Sequence, residues 1–210
     1  MRLLALLMLA AGLSAAALLP AGAASARYGA LRDKGVMVPA VPLDRIERRF
    51  QRQSVSYVSE HPAGTIVVDP ARHFLYLIEA KGRALRYGVS VGKGAFAWSG
   101  QAVIGRIAPW PRWTPPAEMV QRSPSLSSYQ MGLDGGMFNP LGARALYLYQ
   151  GRKDTLYRIH GTSEWWSIGD DASSGCIRML NQDVIDLASR VGLGATVVVL
   201  SKGSPVRRRP

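Results

Sequence analysis

Short β-rich runs separated by turn residues recur along residues 65–200, and this pattern most limits what the chain can fold into. The runs are rich in Val, Ile, Leu and Tyr, and Gly and Pro residues stand between them. The clearest runs are residues 65–69, 73–78, 83–91, 145–149, 156–159 and 195–200. Many short strands joined by turns predict a mainly β domain, either a sandwich or a barrel.

One segment near the C-terminus has the pattern of a helix. Asn181 is a residue type that caps helix N-termini, Asp183 favours a first turn, and Gly192 is typical of a stop. Apolar residues recur between them at helical spacing: Val184, Ile185, Leu187, Ala188 and Val191. The sequence therefore predicts a short helix that begins soon after Cys176.

The N-terminus predicts export. Met1 and Arg2 precede a run of mostly Leu, Ala and Met that ends at Pro20, and small residues follow at 21–23. These features predict a cleaved signal peptide over residues 1–23. A membrane anchor is the alternative, but an apolar run of about 17 residues is at the short limit for a span. We therefore expect an exported protein of the periplasm or cell envelope that has no stable membrane span after cleavage.

The net charge of the chain limits the kinds of partner that it can bind. The chain has 26 Lys and Arg residues against 14 Asp and Glu, a net charge of +12. Such an excess would suggest nucleic acid for a cytoplasmic protein. For an exported protein the available polyanions are cell-wall carboxylates and anionic lipid surfaces, so we expect no nucleic-acid partner.

Composition shifts divide the rest of the chain. Residues 24–63 are basic and weakly patterned, and we expect a linker or N-terminal extension there. Within it Leu43, Ile46 and Phe50 would share one face of a short amphipathic helix. The β-rich pattern predicts the main folded domain over residues 64–201, and residues 202–210 are expected to be a basic, solvated tail.

The chain has one cysteine, Cys176, which excludes an intrachain disulfide and a Cys-x-x-Cys metal site. Exported proteins normally pair their cysteines. An unpaired one is therefore either a small buried hydrophobe or a reactive thiol.

The neighbours of Cys176 favour the reactive thiol. A predicted strand ends at His160, and Gly175 precedes the cysteine. A thiol attacks a carbonyl as its thiolate, and an imidazole can take up the proton. Glycine lets the backbone turn sharply, so that nearby backbone N–H groups can point at an oxyanion. The pattern favours a Cys/His acyl-transfer site, and the alternative is a core cysteine near an unrelated histidine.

A metal site is the other chemistry considered. Asp170 and Asp171 lie between His160 and Cys176, but these four residues lack the spacing typical of zinc ligands. We therefore expect no metal and no cofactor, and structural roles for the remaining histidines, His61 and His73.

Several separated segments resemble, in order, the catalytic domain of the bacterial L,D-transpeptidases. They are residues 109–116, residues 139–148, and His160, Gly161 and Thr162 followed by residues 173–179. The resemblance covers residues 65–200. It implies an L,D-transpeptidase-type β-sandwich with a short helix after the catalytic cysteine.

The resemblance also implies an activity. The cysteine would attack the L,D-peptide bond of a peptidoglycan tetrapeptide stem and release D-alanine, and an amine would resolve the thioester. The products would be 3-3 crosslinks, or an envelope protein attached to the wall. Carried over by position, Cys176 is the nucleophile, His160 the proton acceptor and donor, and the Gly161 carbonyl the group that orients His160.

The residues around the cysteine receive secondary roles from the same resemblance. The amides of Gly175 and Cys176 are the candidates for the oxyanion hole. Arg178 would hold a substrate carboxylate or brace the turn. Ser174 is a further candidate for the oxyanion or substrate-binding group. It stands where many members of the family carry histidine, so the role of that histidine does not transfer to this chain.

Two alternative functions stay open. Water could resolve the same thioester, which would give an L,D-carboxypeptidase or a hydrolase of wall-linked protein. A non-catalytic, basic wall-binding module is the second alternative, although a nucleophile and a base are both present.

Overall fold

A nine-stranded mixed sheet is the centre of the computed structural model, which describes residues 26–93, 98–173 and 175–202. In the described residues the strands are β1 (Leu31–Asp33), β2 (Val36–Val38), β3 (Gln53–Ser56), β4 (Ile66–Asp69), β5 (Phe74–Ile78), β6 (Arg83–Gly88), β7 (Gly100–Pro109), β8 (Arg144–Gln150), β9 (Lys153–Thr162), β10 (Ile177–Leu180) and β11 (Thr196–Val199). Strands β1 and β2 form a separate hairpin, and the large sheet has the order β10-β9-β8-β7-β11-β4-β5-β6-β3. Each of the six runs predicted from the sequence overlaps a strand, and the run 83–91 extends beyond the end of β6 at Gly88.

The large sheet bends until its two ends meet. Ser90, which follows β6, exchanges both backbone hydrogen bonds with Arg178 of β10 at 2.9 Å each. The two halves enclose one apolar core, to which Leu75 and Leu146 contribute fully buried side chains. Burial of this apolar surface is the main force that holds the halves together. The mainly β fold expected from the sequence is confirmed.

Two helices complete the architecture of the described residues. Helix α1 (Ala117–Arg122) precedes the 3-10 segment Pro124–Tyr129, and helix α2 (Asn181–Arg190) follows β10 directly. Helix α2 confirms the short helix after Cys176. Asn181 is not its cap, however, because Leu180 holds that position and the Asn181 Oδ1 accepts the Ala143 N–H at 2.8 Å.

The N-terminal segment differs from the linker that the sequence suggested. Strand β3 pairs with β6 in the large sheet. Tyr28, Ile46 and Phe50 are buried against the outer side of β4 and β5. The predicted amphipathic helix is replaced by two 3-10 turns, Leu43–Arg45 and Arg48–Phe50. The physical reason is that β4 and β5 are apolar on both faces, so the face turned away from the core also needs a cover.

A buried polar cluster ties this segment to α2. Tyr28 donates its hydroxyl to Asp183 at 3.2 Å and accepts the Arg52 N–H at 2.5 Å. Arg52 also contacts Asp186, which accepts the Tyr87 hydroxyl at 2.7 Å. Burial raises the pKa of the Asp183 carboxyl to about 7, and Arg52 partly offsets that effect.

The predicted signal peptide, residues 1–23, and residues 203–210 of the predicted tail lie outside the described residues. In the described part of the chain, no helix has the length and hydrophobicity needed to cross a membrane.

Candidate active site

The parallel pairing of β9 with β10 brings the predicted site residues together. Arg178 pairs with His160 and Met179 with Gly161, and Cys176 lies directly before β10. The thiol and the imidazole both line a cleft of about 620 Å³, which helix α1 borders on one side. The structure thus places at one cleft two residues that are separated by a loop in the sequence.

His160 is buried and held by backbone carbonyls. Its Nδ1 lies 2.7 Å from the Gly161 carbonyl oxygen, and the Pro140 carbonyl also contacts the ring. Burial lowers the pKa of His160 to about 4, and the charges of Arg178 and Arg158 act in the same direction. The ring is therefore neutral at pH 7. With its one proton on Nδ1, it donates to Gly161 and keeps Nε2 as a proton acceptor.

Gly161 occupies a position with no room for a side chain. A Cβ there would lie 2.2 Å from the Asn181 Oδ1, the same atom that accepts the Ala143 N–H. The neighbouring Gly142 meets Asn181 in the same way, at 2.4 Å. This close packing fixes the backbone whose carbonyl contacts His160.

The Cys176 thiol is half-buried and lies beside β9. Its Sγ is 4.0 Å from the Leu156 carbonyl oxygen. Burial raises the pKa of the thiol, while the Arg158 N–H and the charges of Arg158 and Arg178 partly offset that effect. Because the imidazole pKa is lowered at the same time, the resting site holds a neutral thiol and a neutral ring.

The turn before Cys176 is closed by hydrogen bonds. Ser173 accepts the Gly175 N–H at 3.1 Å and donates its hydroxyl to the Cys176 carbonyl at 2.5 Å. Gly175 has a φ of +132°, which favours glycine, and a Cβ on Gly92 would lie 2.6 Å from its Cα. The Gly175 amide, a sequence candidate for the oxyanion hole, is thus already bonded within the turn. Ser174 lies outside the described residues.

Arg178 lines the cleft with its charge already paired. Its Nη1 donates to the Glu164 carboxylate at 2.7 Å. Asp171, considered above as a metal ligand, instead contacts His73 at 2.9 Å and Lys202 at 2.5 Å. Neither aspartate between His160 and Cys176 joins a metal-binding group: in residues 26–93, 98–173 and 175–202 no three His, Cys, Asp or Glu side chains form one.

Several residues at the site escaped the sequence analysis. Asp154 binds Arg158 with both carboxylate oxygens, at 2.8 and 3.0 Å, and Ser173 and Asn181 hold the backbone beside the thiol and the imidazole. Ser173 lies in the family-like segment 173–179 but received no role there, and no motif marks the site roles of Asp154 and Asn181, because these act through contacts made by the folded chain. For Asp154, the sequence signal is the position of its partner Arg158 in the predicted strand that ends in the histidine.

The domain is a bent mixed sheet whose cleft holds a cysteine and a histidine that contacts a backbone carbonyl. These features define it as a β domain with a cysteine–histidine site. The family model described as YkuD, the L,D-transpeptidase catalytic domain, matches residues 63–199. The chain belongs to this family, which confirms the resemblance seen in the sequence.

Individual relatives agree with this assignment. The probable L,D-transpeptidase ErfK/SrfK of Escherichia coli is 36% identical over 96 residues, which are 44% of this chain and 28% of that protein. The putative L,D-transpeptidase YqjB of Bacillus subtilis is 39% identical over 66 residues, 31% of this chain and 38% of that one. The matches thus span well under half of these curated relatives.

A solved structure from Brucella melitensis covers more of the chain. It is described as a probable carnitine operon oxidoreductase caia, and it is 51% identical with a TM-score of 0.51. The match covers 74% of this chain and 96% of the Brucella chain.

Proposed function

We propose that this protein is an exported L,D-transpeptidase of the periplasm that acts on peptidoglycan stem peptides. Cys176 takes the acyl group of a tetrapeptide stem, releases D-alanine and passes the acyl group to an amine. The observation that carries the proposal is the placement of Cys176 and a neutral, carbonyl-held His160 at one cleft of a domain of this family.

Acylation begins from the neutral pair. The Cys176 thiol breaks its contact with the Leu156 carbonyl and gives its proton to Nε2 of His160. Its Sγ then forms a bond to the substrate carbonyl carbon. The resulting imidazolium is stabilised by the Gly161 carbonyl at Nδ1. Collapse of the tetrahedral intermediate breaks the C–N bond, and His160 returns its proton to the departing D-alanine amine. The thioester remains on Cys176.

Transfer repeats these steps with a new amine. The acceptor nitrogen attacks the thioester, His160 takes its proton, and cleavage of the C–S bond returns the proton to the thiol. Because the Gly175 N–H is bonded to Ser173, the Cys176 N–H is the stronger candidate donor to the oxyanion in both steps.

The charge of the cleft suits a carboxylate-rich substrate. Four arginines and two glutamates, Glu118 and Glu164, line it, so basic side chains outnumber acidic ones in the lining, although three of the arginines are paired with carboxylates. Such a surface attracts anionic ligands and raises their rate of arrival. Peptidoglycan stems carry free carboxylates, whereas the acceptor amine must approach in its neutral form.

The test is incubation of the purified protein with tetrapeptide muropeptides, followed by mass spectrometry. We expect crosslinked dimers and free D-alanine from the wild type, and neither product from Cys176→Ala or His160→Ala. His73→Ala is the matched control, because His73 pairs with Asp171 and does not line the cleft. Circular dichroism and thermal melting would establish that each variant is folded.

The other outcomes of the muropeptide assay would each indicate a different function. Tripeptide without dimer would make the protein a carboxypeptidase that uses water as the acceptor. Binding to cell walls with no product would support the non-catalytic module. Full transpeptidation by Cys176→Ala would refute the proposal.

A further inference from the structure

Strand β9 carries a bulge directly beside Cys176. The register of β9 with β8 jumps between the pair Tyr147 and Arg158 and the pair Tyr149 and Asp154, so residues 155–157 leave the regular ladder. Side chains of the bulge itself hold this shape. The Asp154 carboxylate accepts the Leu156 N–H at 2.9 Å, and the Thr155 hydroxyl accepts the Tyr157 N–H at 3.2 Å. Bulges of this kind re-aim backbone and side chains next to active sites.

Leu156 is the strained residue of the bulge. Its φ is +63°, in the left-handed region that costs a non-glycine residue about 1 kcal/mol. The side chain gains no burial in return, because it is 58% exposed at the wall of the cleft. What this conformation achieves is the direction of the Leu156 carbonyl, whose oxygen lies 4.0 Å from Cys176 Sγ. Strain kept at such a position indicates a function.

Arg158 follows the bulge and is fixed on three sides. Its guanidinium binds Asp154 through two hydrogen bonds, at 2.8 and 3.0 Å, donates to the Tyr157 carbonyl at 3.0 Å, and lies 4.4 Å from the centroid of the Tyr147 ring. Its backbone N–H lowers the pKa of the Cys176 thiol, as a hydrogen-bond donor to the thiolate does. One short segment therefore offers the sulfur both an acceptor, the Leu156 carbonyl, and a donor, the Arg158 N–H.

We propose that Asp154 and Arg158 are positioning residues that shape the β9 bulge into a seat for the Cys176 sulfur. The seat holds the thiol through the Leu156 carbonyl and the thiolate through the Arg158 N–H. The proposal rests on the proposed function in one respect, namely that the Cys176 sulfur is the reacting atom. The two opposite charges next to the seat also set how readily the thiol ionises: Arg158 favours the thiolate and Asp154 opposes it.

The test is the rate of alkylation of Cys176 by iodoacetamide as a function of pH. The chain has one cysteine, so every adduct reports this thiol. We expect Arg158→Gln to move the midpoint to higher pH and Asp154→Asn to move it to lower pH, each by about half a unit to one unit. Asparagine keeps an oxygen for the Leu156 N–H, so the second variant changes the charge and preserves the turn. The double variant should return close to the wild-type midpoint.

Arg106→Gln is the matched control. Arg106 also lies over the Tyr147 ring, at 4.6 Å, but it does not line the cleft. Its removal should leave the alkylation midpoint unchanged. Arg158→Lys retains the positive charge and should stay nearer to wild type than Arg158→Gln, which provides a second variant if the glutamine protein does not fold.

A residue with only a structural role gives a different result. If both single variants shifted the midpoint in the same direction, or if the double variant lay further from wild type than either, the proposal would be overturned. An unchanged midpoint in both folded variants would overturn it as well. Alkylation requires no peptidoglycan substrate, so this result is independent of the muropeptide assay.

Discussion

The contact between Gly161 and Asn181 supplies the most exacting prediction. Asn181 Oδ1 lies where a Gly161 Cβ would be, and the same oxygen accepts the buried Ala143 N–H. The φ of Gly161 is not positive, so its backbone conformation is open to alanine. Substitution by alanine therefore tests side-chain space alone, and we expect Gly161→Ala to destabilise the protein by displacing Asn181.

The magnitude follows from the distances. A Cβ at 2.2 Å from Oδ1 must move that oxygen by more than about 1 Å to reach van der Waals contact, which breaks the 2.8 Å bond to Ala143. Overpacking costs about 1–3 kcal/mol, and a buried N–H without an acceptor costs about another 1–3 kcal/mol. We expect Gly161→Ala to lower the free energy of unfolding by about 2–6 kcal/mol.

A double-mutant cycle in urea, followed by circular dichroism, measures this coupling. Asn181→Ala alone should cost about 1–3 kcal/mol, because it leaves the Ala143 N–H without an acceptor. In that background Gly161→Ala should cost about 1 kcal/mol, since the next obstacle is the Ala143 nitrogen at 2.9 Å. Gly192→Ala is the control, with no atom within 4 Å of its Cβ position and no positive φ. Strictly additive costs in the cycle would refute the reasoning.

Two further predictions concern the pH profile and the N-terminal segment. Because burial lowers the pKa of His160 to about 4, the ring is already neutral above that pH; kcat/KM should lose activity on acidification only near pH 4. An acidic limb near pH 6.5 would contradict this placement of the histidine. Phe50→Ala should lower the free energy of unfolding in urea by about 3–5 kcal/mol, because Phe50 is buried against Phe74. Exposed Trp166, changed to alanine as the control, should alter it by less than about 0.5 kcal/mol. A small effect at Phe50 would restore the linker interpretation of this segment.

The local residue pattern was enough to predict the strands whose residues are apolar and β-branched or aromatic. It did not predict the strand in which glycine interrupts that pattern. Strand β7 escaped prediction for that reason. It contains Gly105, whose Cβ would lie 2.4 Å from the Tyr149 ring, at a bulge in the pairing with β8. The glycine is needed because of a neighbour that only the folded sheet supplies.

The contacts of the N-terminal segment could not be predicted from the sequence, for a different reason. Ile46 and Phe50 are apolar, but their spacing alone predicts a helix and gives no partner. The partner is the outer face of β4 and β5, far along the chain, and covering that face favours two short turns over a helix. Burial of apolar surface does not depend on sequence distance, so a local pattern cannot show which segment will provide the cover.

Residue types and their spacing were enough to predict the mainly β class, the short helix after Cys176, and the candidate nucleophile and base. Histidine, glycine and cysteine in that order restrict the chemistry, because few residue types can attack a carbonyl or accept the nucleophile's proton at neutral pH. Three features come from contacts in the folded chain: the parallel pairing that brings His160 beside the cysteine turn, the burial that keeps both groups neutral, and the bulge that seats the sulfur. These depend on distances and solvent exclusion between segments remote in the chain, which residue identity alone does not specify.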